Sequence, residues 1–487
     1  MPAQYPDLKP AAGASSPSVP VSIPVHPKAN KVQPAAAAGL WPLITLAVGF
    51  VMAMLDVTVV NVGLSSIQHS LSTPLAMLVW IVDGYTLTFA AMLLVGGALA
   101  DRYGAKNIYL LGLLVFVLAS LLCGAAPNGP MLVAARLLQG LGAAFFMPSS
   151  LSLLTHIYED DRVRARMLGI WSATVGCAAA VGPLVGGILI HAFGWRSVFL
   201  INVPVGLFGL IMAKKMIPAV SKNARALTIL SHVIGVAMLG ALSFVLIQGP
   251  AYGWTSRPIM WAAALVIAAA FLLVRHERRG KAALLPRELF ATPQFAAANG
   301  IGFLINFGVY GQLFYISLFL QQARGADALQ TGLQLLPMMG VIFAGNLLSG
   351  RITARHGPRF PLLLGLSSGA LFAGLLTGLT PQTPYWLFAL MIAAANFGIS
   401  IAIPAMTTVA MQVAGRKHAN SAAAVLNANR QIGALVGVAI MGVILHMIPG
   451  WDTRNMLAFG SICVVYIGAA LLVLRYIGVA ASAKAAP

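Results

Sequence analysis

The chain has 487 residues, of which 59% are hydrophobic and only 8% are charged, and its mean hydropathy is +0.88. A soluble domain carries about a quarter charged residues, so this composition excludes a soluble fold and predicts an all-α bundle of membrane helices. The net charge of +19 comes from basic residues scattered between apolar spans, a pattern typical of cytoplasmic loops and not of a nucleic-acid-binding surface.

Residues 1–39 are rich in Pro, Ala, Ser and Val and lack the charged start, apolar run and cleavage site of a signal peptide. We interpret them as a disordered cytoplasmic tail. About fourteen apolar spans of membrane-crossing length follow. Their predicted first residues are Leu40, Leu78, Ile108, Met131, Ala165, Val198, Ile229, Ile259, Phe295, Gly332, Leu362, Tyr385, Ala419 and Met456.

The loop charges predict how these spans cross the membrane. If the amino terminus is cytoplasmic, most of the 30 Lys and Arg residues fall in inside segments. The outside segments then hold only Arg196, Arg257, Arg324 and Arg454. This asymmetry satisfies the positive-inside rule for an even number of helices, so we expect an inner-membrane protein with both termini in the cytoplasm.

Two acidic side chains lie within apolar runs and far from cytoplasmic loops, Asp56 in the first span and Asp83 in the second. Asp56 lies about 22 Å into a span entered near Trp41. An ionised carboxylate at that depth needs a partner, a bound proton, or both, which is the property of a proton carrier. For Asp83, near the outer end of its span, a structural hydrogen bond to a neighbouring helix is an equal alternative to a transport role.

The loop after the second span reads GALADRYGAK, in which Gly97 and Gly104 permit tight packing and a sharp turn. Asp101 and Arg102 place charges at a helix end, with Lys106 just beyond. The carboxylate there can accept from helix amides or pair with loop arginines in one conformation only. We interpret Asp101 as a conformational latch; the alternative is a solvated loop charge.

In the fifth span, Gly182 and Pro183 interrupt the helical hydrogen-bond ladder, while Gly186 and Gly187 allow a neighbouring backbone to approach closely. Taken alone, this pattern predicts a kinked packing helix.

The chain also contains an internal repeat. GALADRYGAK recurs as GRITARHGPR at constant spacing, and GPLVGG of the fifth span is matched by GALVGV later in the chain. A duplication of this kind predicts two six-helix halves with a midplane site between them. We place the halves at residues 40–213 and 295–476, a two-helix insert with its linkers at 214–294, and a cytoplasmic tail at 477–487.

Two arginines lie inside spans, Arg136 and Arg430, and buried guanidinium groups need partners. Besides the two membrane acids, Gln139 or backbone carbonyls can serve as hydrogen-bond partners of these guanidinium groups. We interpret Arg430, with Asn427 and Gln431, as a second-half polar site and as the approximate counterpart of Arg136. A purely structural role for Arg430 is an equal alternative.

Aromatic side chains form a candidate lining for a cavity that holds flat or cationic ligands; the alternative is that they face lipid or other helices. They are Trp80, Tyr85, Phe89, Phe145, Phe146, Phe303, Phe307, Tyr310, Phe314 and Tyr315, together with Met147.

These motifs resemble signatures of the major facilitator superfamily and, within it, of the fourteen-helix drug and proton antiporters. The resemblance rests on GALADRYGAK, on LDVTVVNVGL in the first span, on ARLLQGLGAA in the fourth and on GPLVGG in the fifth. It implies two pseudo-symmetric six-helix bundles plus two extra helices, antiport, and a role for Arg136 in assisting proton transfer. Since Ala354 replaces the acid in the second loop copy, the latch should act mainly in the first half.

The sequence therefore predicts a transporter, not an enzyme, that exports drugs or other small amphipathic or cationic toxic compounds in exchange for protons. No cofactor and no metal are expected, because nucleotide loops, catalytic triads and metal-ligand spacings are missing from the sequence. The expected partners are the substrate, protons and lipid, and no nucleic acid. The sequence does not decide whether a periplasmic adaptor and an outer-membrane channel also take part. The alternative is proton-coupled transport of a specific metabolite or nutrient. The Gly-Pro motif of the fifth helix disfavours the uptake of such a compound.

We predict that the loop between the sixth and seventh helices is cytoplasmic. Cysteines introduced at Ser221 and at Gln382 should therefore react with impermeant thiol reagents from opposite sides of the membrane. Labelling of both from the outside would contradict this topology.

Overall fold

The computed structural model of the protein describes residues 40–158, 160–218, 229–279, 289 and 291–478. The described residues form one compact unit. Residues 1–39 and 479–487, which make up almost all of the two predicted tails, lie outside the described residues.

Fourteen helices in the described part of the chain are long and apolar enough to cross a membrane, which confirms the predicted all-α membrane fold. Each begins within about five residues of its predicted position. In chain order they are α1 (Trp41–Leu71), α2 (Leu75–Tyr103), α3 (Ala105–Gly124), α4 (Gly129–Ile157), α5 (Arg166–Phe193), α6 (Ser197–Met216), α7 (Leu230–Tyr252), α8 (Arg257–His276), α9 (Pro293–Ala323), α10 (Ala328–His356), α11 (Arg359–Leu376), α12 (Tyr385–Gly415), α13 (Ala422–Met447) and α14 (Trp451–Tyr476).

The helices pack as two six-helix bundles, α1 to α6 and α9 to α14. In the first bundle α4 packs against α2 and α3, and α5 packs against α1. In the second, α9, α10 and α11 pack against the run formed by α12 and α13, and α14 packs against α9 and α11. The inserted helix α7 contacts both α2 and the α12–α13 run, so it lies at the junction of the halves, while α8 packs mainly against α7.

The two copies of the repeated loop have the same backbone geometry. Gly104 ends α2 with φ 96° and Gly357 ends α10 with φ 72°, conformations that favour glycine. Gly97 does not have the expected packing contact, since no atom lies within 4 Å of the place its Cβ would take. It is the preceding Gly96 that lies against α4, where a Cβ would overlap the carbonyl group of Ala144. The close approach therefore occurs one position earlier than expected.

Glycines on α5 bring this helix into close contact with α1. A Cβ at Gly182 would overlap the hydroxyl of Thr58, and one at Gly186 would lie 2.8 Å from Cγ1 of Val59. Small residues at this spacing let two membrane helices approach until their backbones nearly touch.

The same helix joins the two halves near the predicted outer face. A Cβ at Gly187 would lie 2.8 Å from the backbone oxygen of Ala328 in α10. In return, a Cβ at Gly332 of α10 would overlap the backbone oxygen of Pro183. The halves therefore meet here backbone to backbone.

Amide side chains add polar contacts between the halves at the same face. The last turn of α9, Phe319–Ala323, is a π-helix. Its Gln321 accepts a hydrogen bond from the backbone N–H of Ser65 at 3.2 Å, and Gln322 donates to Gln68 at 3.0 Å. The predicted outer face is thus closed in this conformation.

We predict that Gly332→Ala destabilises the folded protein, because its methyl group must displace the α5 backbone. Overpacking of this kind costs about 1–3 kcal/mol. The apparent unfolding temperature of the purified protein should fall, whereas Gly340→Ala should leave it unchanged, since Gly340 has no neighbouring atom within 4 Å of its Cβ position. Equal effects of the two substitutions would contradict the close contact.

Candidate functional site

The acid of the first span and the arginine of the fourth meet inside the first bundle. Arg136 donates from Nη1 to Oδ2 of Asp56, and each side chain is only 1% exposed. A buried ion pair is stable only when the remaining donors and acceptors of both ions also have partners. The surroundings of this pair provide them.

Arg136 has further partners besides the carboxylate. Its Nε donates to the backbone oxygen of Ile81 at 2.9 Å, and Nη1 donates to Oε1 of Gln139 at 2.8 Å. The guanidinium carbon lies 4.7 Å from the centroid of the Tyr85 ring, close enough for a cation–π interaction. The guanidinium is therefore held by α2 and α4 as well as by Asp56.

The carboxylate of Asp56 is likewise part of a larger set of hydrogen bonds. Its Oδ1 accepts from Gln139 at 3.2 Å and from Asn202 at 3.5 Å. Gln139 also donates to Ser120 at 2.8 Å and accepts from Cys123 at 3.2 Å. We call these groups, with Arg136, the charged network; its side chains come from α1, α3, α4 and α6. Ser120 and Asn202 were not predicted from the sequence, although each is a polar residue inside an apolar span.

Asp83, the second membrane acid, is fully buried, and neither carboxylate oxygen has a hydrogen-bond partner among the described residues. The structure thus offers no support for the alternative of a structural hydrogen bond. Val79 and Leu87 lie on the same face of α2 as Asp83. Val79 contacts α13 at the place that a Cβ of Gly442 would take, and Leu87 packs in one cluster with Leu435. Asp83 therefore faces the second half between these two levels.

Arg430 is not the counterpart of Arg136. Arg136 lies on α4, the fourth helix of the first half, whereas Arg430 lies on α13, the fifth helix of the second. The helix equivalent to α4 is α12, and both contain an internal proline, Pro148 and Pro404. The expected correspondence of Arg430 with Arg136 is wrong because the repeated motifs fix the spacing of the halves, and at that spacing the fourth helix of the first half matches α12 and not α13.

A neutral pair joins the helices of the second half that correspond to α1 and α4. Gln312 of α9 donates to Asn396 of α12 at 2.6 Å, and both residues are buried. The first half is thus joined at this level by ions and the second by amides.

Arg430 itself is half-buried, and its Nε is buried without a hydrogen-bond partner. Its stem passes Gly302 of α9, whose Cβ would lie 3.3 Å from Cγ of Arg430. Of the two amides predicted to accompany it, Asn427 is exposed and Gln431 is half-buried.

The loop motif positions its charges at the predicted inner face. Asp101 is half-buried at the end of α2, and the guanidinium of Arg102 lies 5.5 Å from the centroid of the Tyr103 ring. Lys106 donates to the backbone oxygen of Lys214 at 3.0 Å, near the end of α6. The motif thus links the α2–α3 loop to the last helix of its own half.

Several aromatic residues proposed as cavity lining belong to the bundle cores instead. Phe146 is fully buried in the first bundle, and Tyr315 donates to Asn455 at 2.7 Å inside the second. Tyr85 also lies within the first bundle, where its ring contacts the guanidinium of Arg136, whereas Tyr310 is half-buried on α9.

No group of three or more His, Cys, Asp or Glu side chains within the described ranges could hold a metal ion.

The sequence model of the Major Facilitator Superfamily matches residues 46–438. Two proteins named methylenomycin A resistance protein are similar to this chain. The protein of Bacillus subtilis (strain 168) is 48% identical over 92% of this chain and 97% of its own length. The protein of Streptomyces coelicolor is 47% identical over 87% of this chain and 90% of its own length. The multidrug resistance protein Stp of Mycobacterium tuberculosis is 33% identical over 83% of this chain and 76% of its length.

The fold is also found among solved structures. A bacterial homologue of the human lysosomal transporter Spinster, in an inward-facing and unoccupied conformation, aligns with a TM-score of 0.61 at 19% identity. The alignment covers 89% of this chain and 94% of that one.

We predict that Asp56 and Arg136 are energetically coupled. Arg136→Met leaves a carboxylate buried without its ion partner, and losing one partner of such a pair costs about 3–5 kcal/mol. Asp56→Asn combined with Arg136→Met should recover part of the loss in apparent unfolding temperature, because the uncompensated charge is gone. A double variant whose loss equals the sum of the single losses would show that the two residues act independently.

Proposed function

The chain belongs to the major facilitator superfamily, and on this basis we propose that it exports a toxic small molecule across the cytoplasmic membrane in exchange for protons. The names of its relatives concern resistance to methylenomycin A and to multiple drugs. An antibiotic of low molecular mass is therefore the first candidate substrate. The observation that carries the coupling to protons is the buried pair of Asp56 and Arg136.

This pair has the features of a proton site more than those of a purely structural bridge. If Asp56 takes up a proton, Arg136 keeps the Ile81 carbonyl, the Gln139 amide and the Tyr85 ring as partners. These neutral partners lower the cost of losing the carboxylate charge, a cost that a bridge with no other partners would bear in full. A carrier must be stable in both protonation states.

A change at this pair can reach the contact between the halves. The ion pair ties α1 to α4, and α1 packs closely on α5 through Gly182 and Gly186. The outer end of α5 in turn meets α10 at Gly332. Protonation of Asp56 would release α1 from α4 and so alter how α5 supports the closed outer face, a two-state rearrangement of packed helices.

The remaining parts of the proposal follow from the sequence. Asp101 acts as a latch at the inner face, where it favours one of the two conformations. The Gly-Pro segment of α5 belongs to an antiporter, and both termini are cytoplasmic. The domain boundaries are those given by the repeat, with the insert of α7 and α8 between the halves.

The exporter function is tested by growth of susceptible cells with and without the protein on methylenomycin A, cationic biocides, dyes and neutral antibiotics. We expect resistance to at least one compound. An unchanged susceptibility across the panel, with the protein present in the membrane, would contradict export.

We predict that Asp56→Asn abolishes substrate movement driven by a pH gradient in proteoliposomes, since Asn keeps the shape of the side chain but does not titrate. Asp56→Glu should retain part of the activity if the site tolerates the longer side chain. Asp452→Asn, at the start of α14 and outside the charged network, serves as the control and should behave as the wild type. If Asp56→Asn exchanges substrate for protons at the wild-type ratio, Asp83 becomes the coupling residue.

A further inference from the structure

Arg430 carries a charge for which the described part of the protein provides no counter-ion. It lies about 12 Å from the first residue of α13, well inside the bundle. Its Nε is buried and has no hydrogen-bond partner, and no ion pair links it to a described acid. An arginine inside a membrane protein is costly and normally pairs with an acid or with carbonyls, so an uncompensated one marks a functional site.

The two membrane acids do not fill this role. Asp56 is bound to Arg136 within the first bundle. Asp83 lies between the levels of Leu435 and Gly442 on α13, roughly 13 Å farther along that helix than Arg430. Neither carboxylate is placed to neutralise the guanidinium.

Two tyrosines lie on helices that pack against the part of the chain carrying Arg430. Tyr310 lies on α9, about two helical turns beyond Gly302, the position that the stem of Arg430 passes. Tyr85 lies on α2, the first-half helix that packs against the α12–α13 run. The hydroxyl of Tyr85 is buried without a hydrogen-bond partner. Around this junction the protein therefore presents a cation and phenol groups, which together suit an anion that accepts hydrogen bonds.

We propose that Arg430 and Tyr310 form an anion subsite that holds a carboxylate group of the exported compound between the two halves. The inference rests on the proposed exporter function and makes its substrate anionic instead of cationic. Arginine suits this task because its planar fork matches a carboxylate with two parallel hydrogen bonds. Gly302 leaves room for the stem of Arg430 to extend past α9.

The subsite is tested by measuring how three fluorescent probes that share a dansyl group bind to the purified full chain. Binding is measured at equilibrium and without an ion gradient. Dansyl-glycine carries a carboxylate, dansylamide is neutral and dansyl-cadaverine is a cation. The wild type should bind dansyl-glycine at least about tenfold more tightly than dansylamide, the gain expected of one charge-assisted contact. Dansyl-cadaverine should bind most weakly.

Substitutions assign this preference to the subsite. Arg430→Gln should remove the preference for dansyl-glycine while keeping the affinity for dansylamide, which also shows that the variant is folded. Arg430→Lys should keep part of the preference for dansyl-glycine. Arg454→Gln, which removes an arginine bound to the Ile448 carbonyl at the predicted outer face, is the matched control and should keep all of it. Should Arg430→Gln not fold, Tyr310→Phe provides the second variant, with weaker dansyl-glycine binding and unchanged dansylamide binding.

Three results would overturn the subsite: no saturable binding of dansyl-glycine, equal binding of dansyl-glycine and dansylamide, or a preference that persists in Arg430→Gln and in Tyr310→Phe. Because the assay needs no transport, its outcome is independent of the resistance panel. An Arg430-dependent preference in a protein that confers no resistance would leave the subsite standing and remove the exporter.

Discussion

An ion cannot remain unpaired in an apolar bundle, and this constraint organises the first half of the protein. Asp56 and Arg136 satisfy each other, and their remaining groups are met by Gln139, Asn202 and the backbone of α2. Because these partners come from separate helices, the pair fixes the rotation and depth of most of the first bundle at once. The second half has no ion pair among its described residues at the equivalent level and relies on the neutral contact between Gln312 and Asn396. Duplication thus preserved the helical frame while the charge stayed in one copy.

The contact between the halves is built differently from the interior of either one. Where α5 meets α10, it consists of glycines whose missing side chains bring the two helices backbone to backbone, with a few amide hydrogen bonds beside them. A contact between small residues can separate and reform with little repacking, whereas α2 and α13 meet through larger side chains such as Leu87 and Leu435. Charge is placed inside a half, where it must be stable, and small residues lie at the junction, where movement is required. The proposed proton site and the proposed gate are therefore mechanically linked through α1 and α5 but chemically distinct.

Hydropathy and length were sufficient to predict the fourteen helices, because a bilayer requires about 20 apolar residues for each crossing, and the repeated loop motif predicted the two halves. Glycine turns were also predictable, since Gly104 has a φ that other residues rarely adopt. The rotation of each helix about its axis was not predictable, because spans that are apolar on all sides carry little periodic signal. For this reason Gly97 was assigned the contact that Gly96 makes, Phe146 and Tyr315 were assigned to a cavity although they lie in cores, and Arg430 was matched to the wrong helix. The pairing of Asp56 with Arg136 needs the three-dimensional arrangement of α1 and α4.

The uncompensated charge of Arg430 has an electrical consequence. If Arg430 holds a carboxylate, the loaded site is neutral and moves little charge through the membrane field. The empty site, in contrast, moves a positive charge. Exchange of one monovalent anion outward for one proton inward transfers two elementary charges per cycle, and each is worth about 2.3 kcal/mol per 100 mV of membrane potential. The voltage across the membrane, and not the proton concentration difference alone, would then supply most of the driving force in cells whose internal pH is close to that outside. A single arginine without a partner would in this way set the energy source of the whole cycle.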